Sequence, residues 1–204
     1  MILEPIKKQI AQLDINSITE KRKIVLLPLI DFIQNKVNTN QPVNLNFICT
    51  HNSRRSHLSQ VWAQTMASYF KLHHVFCYSG GTEATVMFAV AVETLNNTGF
   101  KIEKLSNEKN PVYSIKYNDN CHPIIGFSKT YDSEFNPATH FAAILTCSSA
   151  DRGCPFIAGA EQRISITYKD PKAFDDTPQQ LEKYSERSLQ IATEMKFVFT
   201  QIML

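Results

Sequence analysis

Apolar residues in the first part of the chain recur with the period of a helix. They fall three or four positions apart over residues 6–13 and again over residues 24–37, which predicts two amphipathic helices. Asn16 and Ser17 lie between these runs and are typical N-cap residues, so they predict the start of the second helix. Residues 1–41 are therefore predicted to form a helical extension. It packs either on the main domain or on a second copy of the chain, and the second arrangement would give a homodimer.

From residue 43 onwards the pattern changes to short apolar runs that alternate with helical periodicity. Strands are predicted at residues 43–49, 74–80, 139–147 and 163–168, and helices at residues 56–70, 85–99 and 178–202. Strands that alternate with helices predict an α/β fold, here a four-stranded, mainly parallel sheet flanked by helices. This main domain spans residues 42–204. Residues 106–138 interrupt the alternation with two short strand-like runs and many turn residues, and we interpret them as an inserted hairpin or lid.

A thiol and an arginine occupy the turn between the first strand and the helix that follows it. Cys49 ends the apolar run VNLNFIC, and Arg55 and Ser56 follow after a five-residue gap. In open α/β sheets, ligands bind beyond the carboxyl ends of strands, where loop N–H groups and a helix N-terminus attract anions and favour a thiolate. The Arg55 guanidinium suits two oxygens of an anion. The turn thus predicts a nucleophile beneath an oxyanion site, with Asn52 fixing the loop. The alternative is an inert buried cysteine followed by a surface arginine.

The segment CTHNSRRS, residues 49–56, resembles the active-site loop of the low-molecular-weight protein tyrosine phosphatase superfamily. Within that superfamily the chain is most similar to the thioredoxin-coupled arsenate reductases, and the resemblance covers most of residues 43–204. It implies that Cys49 is the nucleophile and that the rest of the loop binds the substrate oxyanion: Thr50, His51, Asn52, Ser53, Arg54, Arg55 and Ser56. The N-terminal helices are extra relative to the family, and the insertion is longer than the corresponding family segment. His51 and Arg54 stand where family members often carry other residues.

Phosphatases of this superfamily also need a carboxylic acid that protonates the leaving oxygen. The family carries it in an Asp-Pro pair after the fourth strand, and Asp170 and Pro171 stand at that place. The resemblance therefore implies that Asp170 is the general acid. The alternative is a plain turn, for which Asp-Pro is a common sequence. Asp175 and Asp176 are interpreted as solvated residues or as caps of the last helix.

Two further cysteines distinguish the reductases from plain phosphatases. Cys147 ends the third core strand, and Cys154 with Pro155 completes the C-x6-C-P spacing that the thioredoxin-coupled reductases carry there. The resemblance implies that Cys147 attacks Cys49 after arsenic has become bound to it. Cys154 then attacks Cys147, and thioredoxin, as electron donor, reduces the resulting disulfide.

Other interpretations of this cysteine pair remain open. Cys147 could be an ordinary core residue, or the pair could join Cys121 and His122 in a zinc site, although zinc ligands usually lie closer in sequence. The pair could also be regulatory or vestigial in a phosphatase. Some family members bind a potassium ion, but Gln60 stands where a carboxylate ligand would be expected. No bound cofactor or metal is predicted.

Composition and charge narrow the choice of partners. Hydrophobic residues make up 43% and charged residues 20% of the 204-residue chain, as in ordinary globular proteins. The net charge is only +2, so no nucleic-acid partner is predicted. No apolar run reaches the ~18 residues of a membrane span, and the N-terminus lacks a signal-peptide core. We expect a cytoplasmic protein whose thiols are reduced.

Three functions are compatible with these residues. The first is an arsenate reductase that uses a three-thiol relay and thioredoxin. The second is a phosphatase that hydrolyses phosphotyrosine or a small phosphate monoester through a phosphocysteine intermediate. The third is an oxyanion-binding module that has lost its chemistry and interacts through the N-terminal helices. The intact set of Cys49, Arg55 and Asp170 counts against the third, and Cys147 with Cys154 favours the first over the second.

Overall fold

A four-stranded parallel sheet carries the CTHNSRRS loop. The structure of the protein is a computed structural model that describes residues 1–154 and 156–203. Its helices are α1 (Glu4–Gln12), α2 (Glu20–Asn38), α3 (Arg55–Tyr69), α4 (Ala89–Thr98), α5 (Ser148–Gly153) and α6 (Gln180–Thr200). Its strands are β1 (Val43–Cys49), β2 (Val75–Gly81), β3 (Lys101–Lys104), β4 (Tyr113–Lys116), β5 (Ile124–Gly126), β6 (Phe141–Leu145) and β7 (Ala160–Ser165). The main sheet has the order β2-β1-β6-β7, and its neighbouring strands are all parallel. The predicted α/β fold is confirmed.

The near-continuous apolar runs of the central strands follow from burial on both faces of the sheet. All five residues of β6 are buried, and in β1 only Asn44 is partly exposed, as is typical of strands covered by helices on both sides. The outer edge of β2 is closed by side chains of α3. Gln64 donates to the Val75 carbonyl at 3.0 Å and accepts from the Cys77 N–H at 2.9 Å, and Gln60 donates to the Cys77 carbonyl at 3.0 Å. These amides satisfy backbone groups that an open edge would leave unpaired.

The insertion begins earlier than predicted and is larger than a hairpin. Strands β3, β4 and β5 form a separate three-stranded antiparallel sheet, and β3 precedes residue 106. The chain then returns to the main sheet, where the Gly81 N–H donates to the Lys129 carbonyl and the Tyr131 N–H donates to the Gly81 carbonyl, both at 2.9 Å. The insertion therefore lies against the carboxyl end of β2, next to the CTHNSRRS loop.

The N-terminal helices pack on the main domain, which is one of the two predicted arrangements. Ile6 and Ile10 of α1 and Leu26, Leu29 and Ile33 of α2 are fully buried and belong to the same apolar cluster as the sheet and α6.

The predicted start of the second helix is wrong. Residues 15–17 form a short 3-10 helix, and the cap of α2 is Thr19, whose hydroxyl accepts from the Arg22 N–H. Residues 15–17 form this turn because the Asp14 carboxylate accepts a hydrogen bond from the Asn16 N–H. Helix α2 therefore begins only after the turn.

The start of α4 also differs from its prediction. The helix begins at Ala89 rather than near residue 85, because the preceding segment is held in an extended form by the CTHNSRRS loop. The Thr82 N–H donates to the Cys49 carbonyl at 3.1 Å, and the Phe88 N–H donates to the Ser53 carbonyl at 3.0 Å. Gly99 ends α4 in the left-handed conformation that glycine adopts readily. None of the helices in the described part of the chain combines the length and apolar character needed to cross a membrane.

Candidate active site

The CTHNSRRS loop turns its carbonyl groups outward. The carbonyls of Thr50, His51, Asn52 and Ser53 accept hydrogen bonds from Glu83, Ser128, His57 and Phe88, respectively. The N–H groups of residues 51–54 donate no hydrogen bond to any described residue. Since the carbonyls are engaged by the surroundings, these N–H groups remain free for an anion, and the N-terminus of α3 adds its positive end.

Asn52 holds the loop in this shape. Its φ of 43° is left-handed, a conformation that asparagine tolerates better than most residues. Its side-chain amide donates to Ser56 Oγ at 2.9 Å, and its side-chain carbonyl accepts from the Lys129 N–H at 2.9 Å. The side chain is fully buried, so both bonds are shielded from competing water. Asn52 thus fixes the loop, as its place in the sequence predicted.

Cys49 lies at the base of the loop with a hydroxyl beside its sulfur. Its Sγ is 3.1 Å from Ser56 Oγ, and the residue is 4% exposed. Ser56 Oγ already accepts from the Asn52 amide, so the hydroxyl proton is free to be donated to the sulfur. A donated hydrogen bond stabilises negative charge on sulfur more than the neutral thiol. The arrangement favours a nucleophilic Cys49.

Arg55 is held by the segment that carries the predicted acid. Its Nη1 donates to the Tyr168 carbonyl at 2.9 Å, and its Nη2 donates to Asp170 Oδ2. Its buried Nε has no partner among the described residues. The Asp170 carboxylate is fixed further by the Lys172 N–H, which donates to Oδ1 at 3.1 Å. The structure therefore brings Arg55 and Asp170 together and leaves the Nε of the guanidinium without a partner among the described residues.

A neutral histidine supports the loop from below. His57 is fully buried, and its Nε2 lies 2.9 Å from the Asn52 carbonyl. Because a carbonyl only accepts, Nε2 carries the proton, and Nδ1 accepts from the Ser79 hydroxyl at 3.2 Å. Burial, helped by the nearby Lys129 ammonium, lowers the pKa of His57 to about 3. His57 is therefore an uncharged brace for the loop at neutral pH.

A buried cation lies beneath the loop. The Lys129 side chain lies beside His57. The Gln60 amide nitrogen donates to the Cys77 carbonyl at 3.0 Å, and Gln60 Oε1 has no partner among the described residues. Burial lowers the pKa of Lys129 to about 8, which leaves the ammonium protonated at neutral pH. Its Nζ lies 4.4 Å from the centre of the Phe127 ring, a favourable position for a cation.

Arg54 is engaged outside the loop by residues that sequence reasoning missed. Its guanidinium lies 4.1 Å from the centre of the Phe88 ring, its Nη2 donates to Asp175 Oδ2 at 2.6 Å, and its Nε donates to the Tyr184 hydroxyl. That hydroxyl donates to Asp175 Oδ1 at 2.6 Å. Although burial opposes it, hydrogen bonds from Tyr184, Gln180 and Arg54 lower the pKa of Asp175. Of the two settings predicted for Asp175, exposure to solvent is wrong. The carboxylate lies near the start of α6, where Gln180 Nε2 donates to its Oδ1 at 3.1 Å.

Cys147 adjoins the CTHNSRRS loop. Its sulfur lies 3.4 Å from Thr50 Oγ1 and accepts from the Ala150 N–H at 3.3 Å, so it caps helix α5. Cys147 is 1% exposed and shares an apolar cluster with Cys49. Cys154 lies at the other end of α5 and is half-buried. Pro155, the last residue of the predicted motif, lies outside the described residues.

Arg163 of β7 binds the carboxyl end of α5. Its Nε donates to the Cys154 carbonyl at 2.9 Å, and its Nη2 donates to Asp151 Oδ1 at 2.6 Å and to the Asp151 carbonyl. We call these three bonds the Arg163 clamp. They hold α5 in its helical form, with Cys147 and Cys154 at opposite ends.

The residues required by the zinc alternative are not brought together. Cys121 and His122 line a cavity of about 500 Å³ beside β2, together with Cys77, whereas Cys147 and Cys154 flank α5. Within residues 1–154 and 156–203, no group of three or more candidate metal ligands is found. A site that combines these four residues is therefore not supported.

Comparison with known proteins identifies the fold. The chain is similar to a low-molecular-weight phosphotyrosine phosphatase from Vibrio cholerae O395, at 14% identity and a TM-score of 0.51 over 78% of this chain and 94% of the other. It is similar to an arsenate reductase in the phosphate-binding state, at 17% identity and a TM-score of 0.50 over 79% and 99% of the two chains. It is also similar to a low-molecular-weight protein tyrosine phosphatase from T. tengcongensis, at 15% identity and a TM-score of 0.52 over 78% and 99%. No protein-family model and no curated sequence matches. The predicted resemblance in fold is confirmed.

Proposed function

We propose that the protein is an arsenate reductase that takes electrons from thioredoxin through Cys154, Cys147 and Cys49. The observation that carries this proposal is the contact of the buried Cys147 sulfur with Thr50, the residue that follows the nucleophile. An enzyme that hydrolyses its covalent adduct with water has no use for a second thiol at this position. A reductase needs one there, because its adduct is resolved by attack of a thiol.

The first step is binding and nucleophilic attack. The free N–H groups of the loop and the unpaired Nε of Arg55 bind the oxygens of arsenate. The Cys49 thiolate attacks arsenic, an As–O bond breaks, and the oxygen leaves as water after taking a proton from Asp170. In the free protein Asp170 is bonded to Arg55. An incoming oxyanion competes for that donor and releases the Asp170 carboxylate, which takes up a proton from solvent and delivers it to the leaving oxygen.

The electrons move in two thiol exchanges. Cys147 attacks the Cys49 sulfur, the S–As bond breaks, and its electron pair stays with arsenic, which leaves as arsenite. A Cys49–Cys147 disulfide remains. Cys154 then attacks Cys147, which restores Cys49 as a thiolate and leaves a Cys147–Cys154 disulfide. The two thiols of thioredoxin reduce this disulfide and become oxidised in turn.

Helix α5 must unwind in the second exchange. Cys147 and Cys154 flank the six-residue helix, and a helical rise places their Cα atoms about 10 Å apart along its axis. A disulfide requires a Cα separation below about 7 Å. The relay therefore couples oxidation of Cys147 and Cys154 to loss of α5. It also moves the disulfide from the buried pair Cys49–Cys147 to a pair that includes the more exposed Cys154.

A phosphate-monoester phosphatase is the second candidate. The bond between Asp170 and Arg55 favours it, because it places a carboxyl group beside the oxyanion site without help from Cys147 or Cys154. Cys49, Arg55 and Asp170 suffice to form a phosphocysteine intermediate and to protonate the leaving alcohol. In this case water attacks the intermediate, and the cysteine pair has another role.

One set of assays separates the two candidates. Wild type and the variants Cys49→Ser, Cys147→Ser and Cys154→Ser receive arsenate, thioredoxin, thioredoxin reductase and NADPH, and separately an aryl phosphate. Cys121→Ser is the matched control, since this thiol lies outside the site. The proposal predicts that only the first three changes abolish arsenate-dependent NADPH oxidation. Aryl phosphate hydrolysis should be lost only in Cys49→Ser. If wild type hydrolyses the aryl ester and never turns over arsenate, the protein is a phosphatase.

A further inference from the structure

The position of the Arg55 guanidinium depends on the backbone at Tyr168. Arg55 Nη1 donates to the Tyr168 carbonyl at 2.9 Å. The Tyr168 N–H donates to the Thr146 carbonyl of the sheet at 3.0 Å, which fixes the backbone before the Tyr168 Cα. The contacts of the Tyr168 side chain also determine where this residue lies. A shift of that side chain would therefore move the carbonyl that orients Arg55.

Arg22, from the N-terminal extension, covers the Tyr168 ring. Its guanidinium carbon lies 4.9 Å from the ring centre. Tyr168 is 5% exposed, and burial raises the pKa of its hydroxyl well above 10, so the ring is neutral. A neutral aromatic face attracts a guanidinium, and more strongly where water is excluded.

Arg22 is itself held rigidly. Its Nε and Nη2 donate to the two carboxylate oxygens of Glu194 at 2.9 and 2.8 Å, a bidentate pair. The Glu194 side chain is 3% exposed, and Gln190 donates to its Oε1 at 2.9 Å. The Thr19 cap fixes the first turn of α2, where Arg22 lies. A planar cation is thus fixed against Tyr168 from helices α2 and α6.

We propose that Arg22 is a positioning residue for the oxyanion site: with Glu194, it fixes Tyr168 and thereby orients the Arg55 guanidinium. The inference rests on the proposed role of Arg55 in binding the oxyanion. It assigns to the N-terminal extension a role that the sequence does not predict.

The test removes the cation without leaving a buried charge. Arg22→Met alone would strand the Glu194 carboxylate, which is strongly destabilising, so it is combined with Glu194→Gln. The control is Lys36→Met with Glu161→Gln. It breaks a 2.7 Å ion pair between the same helix α2 and strand β7, away from Tyr168. Binding of inorganic phosphate is measured by calorimetry, and stability is measured by urea unfolding.

We expect the Arg22/Glu194 variant to bind phosphate about three- to tenfold more weakly than wild type, because one oriented, charge-assisted contact is impaired. The control should bind phosphate as wild type does. Tyr168→Leu should weaken binding to a similar extent, and adding it to the Arg22/Glu194 variant should cause no further loss, since the two changes act through one contact. Arg22→Lys keeps the charge beside Glu194 and should also weaken phosphate binding. This variant replaces the double variant in the test if the double variant does not fold.

Two results would overturn the inference. One is a phosphate affinity in the Arg22/Glu194 variant equal to that of the control. The other is an independent, additive loss with Tyr168→Leu. If the Arg22–Glu194 ion pair were only structural, its removal would lower the urea midpoint and leave the phosphate affinity of the folded protein unchanged. If wild type itself fails to bind phosphate, the proposed oxyanion site is wrong, and that outcome is distinct from either of these.

Discussion

The Arg163 clamp predicts a measurable shift in the redox potential of the cysteine pair. It holds α5 in its helical form, and the Cys147–Cys154 disulfide requires that α5 unwind. The clamp therefore stabilises the dithiol and not the disulfide. A protein that stabilises its reduced form is the stronger oxidant. Replacing Arg163 with Met, a side chain of similar length without donors, should make the potential of the pair more negative.

The size of the shift is estimated from two of these contacts, the ion pair with Asp151 and the bond to the Cys154 carbonyl. The Arg163 and Asp151 side chains are 29% and 28% exposed, and a partly exposed ion pair contributes roughly 0.5 kcal/mol. The charge-assisted bond to the Cys154 carbonyl adds about 1 kcal/mol in such a setting. Their sum of about 1.5 kcal/mol corresponds to about 30 mV for a two-electron couple. We expect the potential to fall by that amount.

The measurement uses a Cys49→Ser background, so that only the pair can form the disulfide of interest. The protein is equilibrated in dithiothreitol redox buffers, free thiols are alkylated, and the Cys147–Cys154 disulfide is quantified by mass spectrometry. Arg152→Met is the matched control, because Arg152 lies on the same helix and is exposed. An Arg163→Met potential that equals the control, or lies above it, would refute the reasoning that α5 and the disulfide exclude each other.

Three further perturbations test the support of the site. The pKa of His57, about 3 in the folded protein, lies below its unfolded value of about 6.5. The unfolded chain therefore binds more protons between these values, and stability should fall as pH drops below about 6.5, by up to ~1.4 kcal/mol per pH unit. Urea unfolding of His57→Gln should show a flatter pH dependence. Gly81→Ala places a Cβ against the backbone of the CTHNSRRS loop. It should cost about 1–3 kcal/mol and abolish calorimetric phosphate binding, whereas Gly153→Ala, which meets no atom within 4 Å, should bind normally. Tyr184→Phe removes a hydroxyl bonded to Asp175 and should lower the free energy of unfolding by about 1–2 kcal/mol; an unchanged urea midpoint would contradict that.

The turn that carries Cys49 and Arg55 could be predicted because it is encoded locally. The apolar run before Cys49 and the helical pattern after Arg55 place both residues on one turn, whatever the rest of the chain does. Asn52 has a left-handed conformation within that same turn. The bond between Arg55 and Asp170 joins residues more than a hundred positions apart. The family resemblance implies only that Asp170 belongs to the site, and neither residue type nor spacing encodes its bond to Arg55.

The supports of the site could not be predicted, because each depends on a contact distant in sequence. Arg54 contacts Phe88, which precedes α4, and Tyr184 of α6. No local pattern distinguishes these aromatic residues from core residues. A charged residue in an amphipathic helix is typical of the solvent-facing side, and nothing near Arg22 in the sequence indicates otherwise. The fold places Arg22 against Tyr168. The start of α4 was predicted too early for the same reason. Its helical periodicity is real, but hydrogen bonds from residues 82–88 to the loop take precedence over local propensity.

The choice between reduction and hydrolysis lies with the group that reaches the Cys49 adduct. Arsenate and phosphate are tetrahedral oxyanions of similar charge, so loop N–H groups and one guanidinium bind either. After attack, water must approach the adduct from solvent, whereas the Cys147 sulfur already contacts Thr50 from a buried position. A thiol held against the residue that follows Cys49 would have a large advantage over water in effective concentration. It can be used only if the atom bound to Cys49 accepts the electron pair of the broken bond, as As(V) does and phosphorus does not. Under the proposed function, the loop selects the shape of the anion, and Cys147 selects the anion that can be reduced.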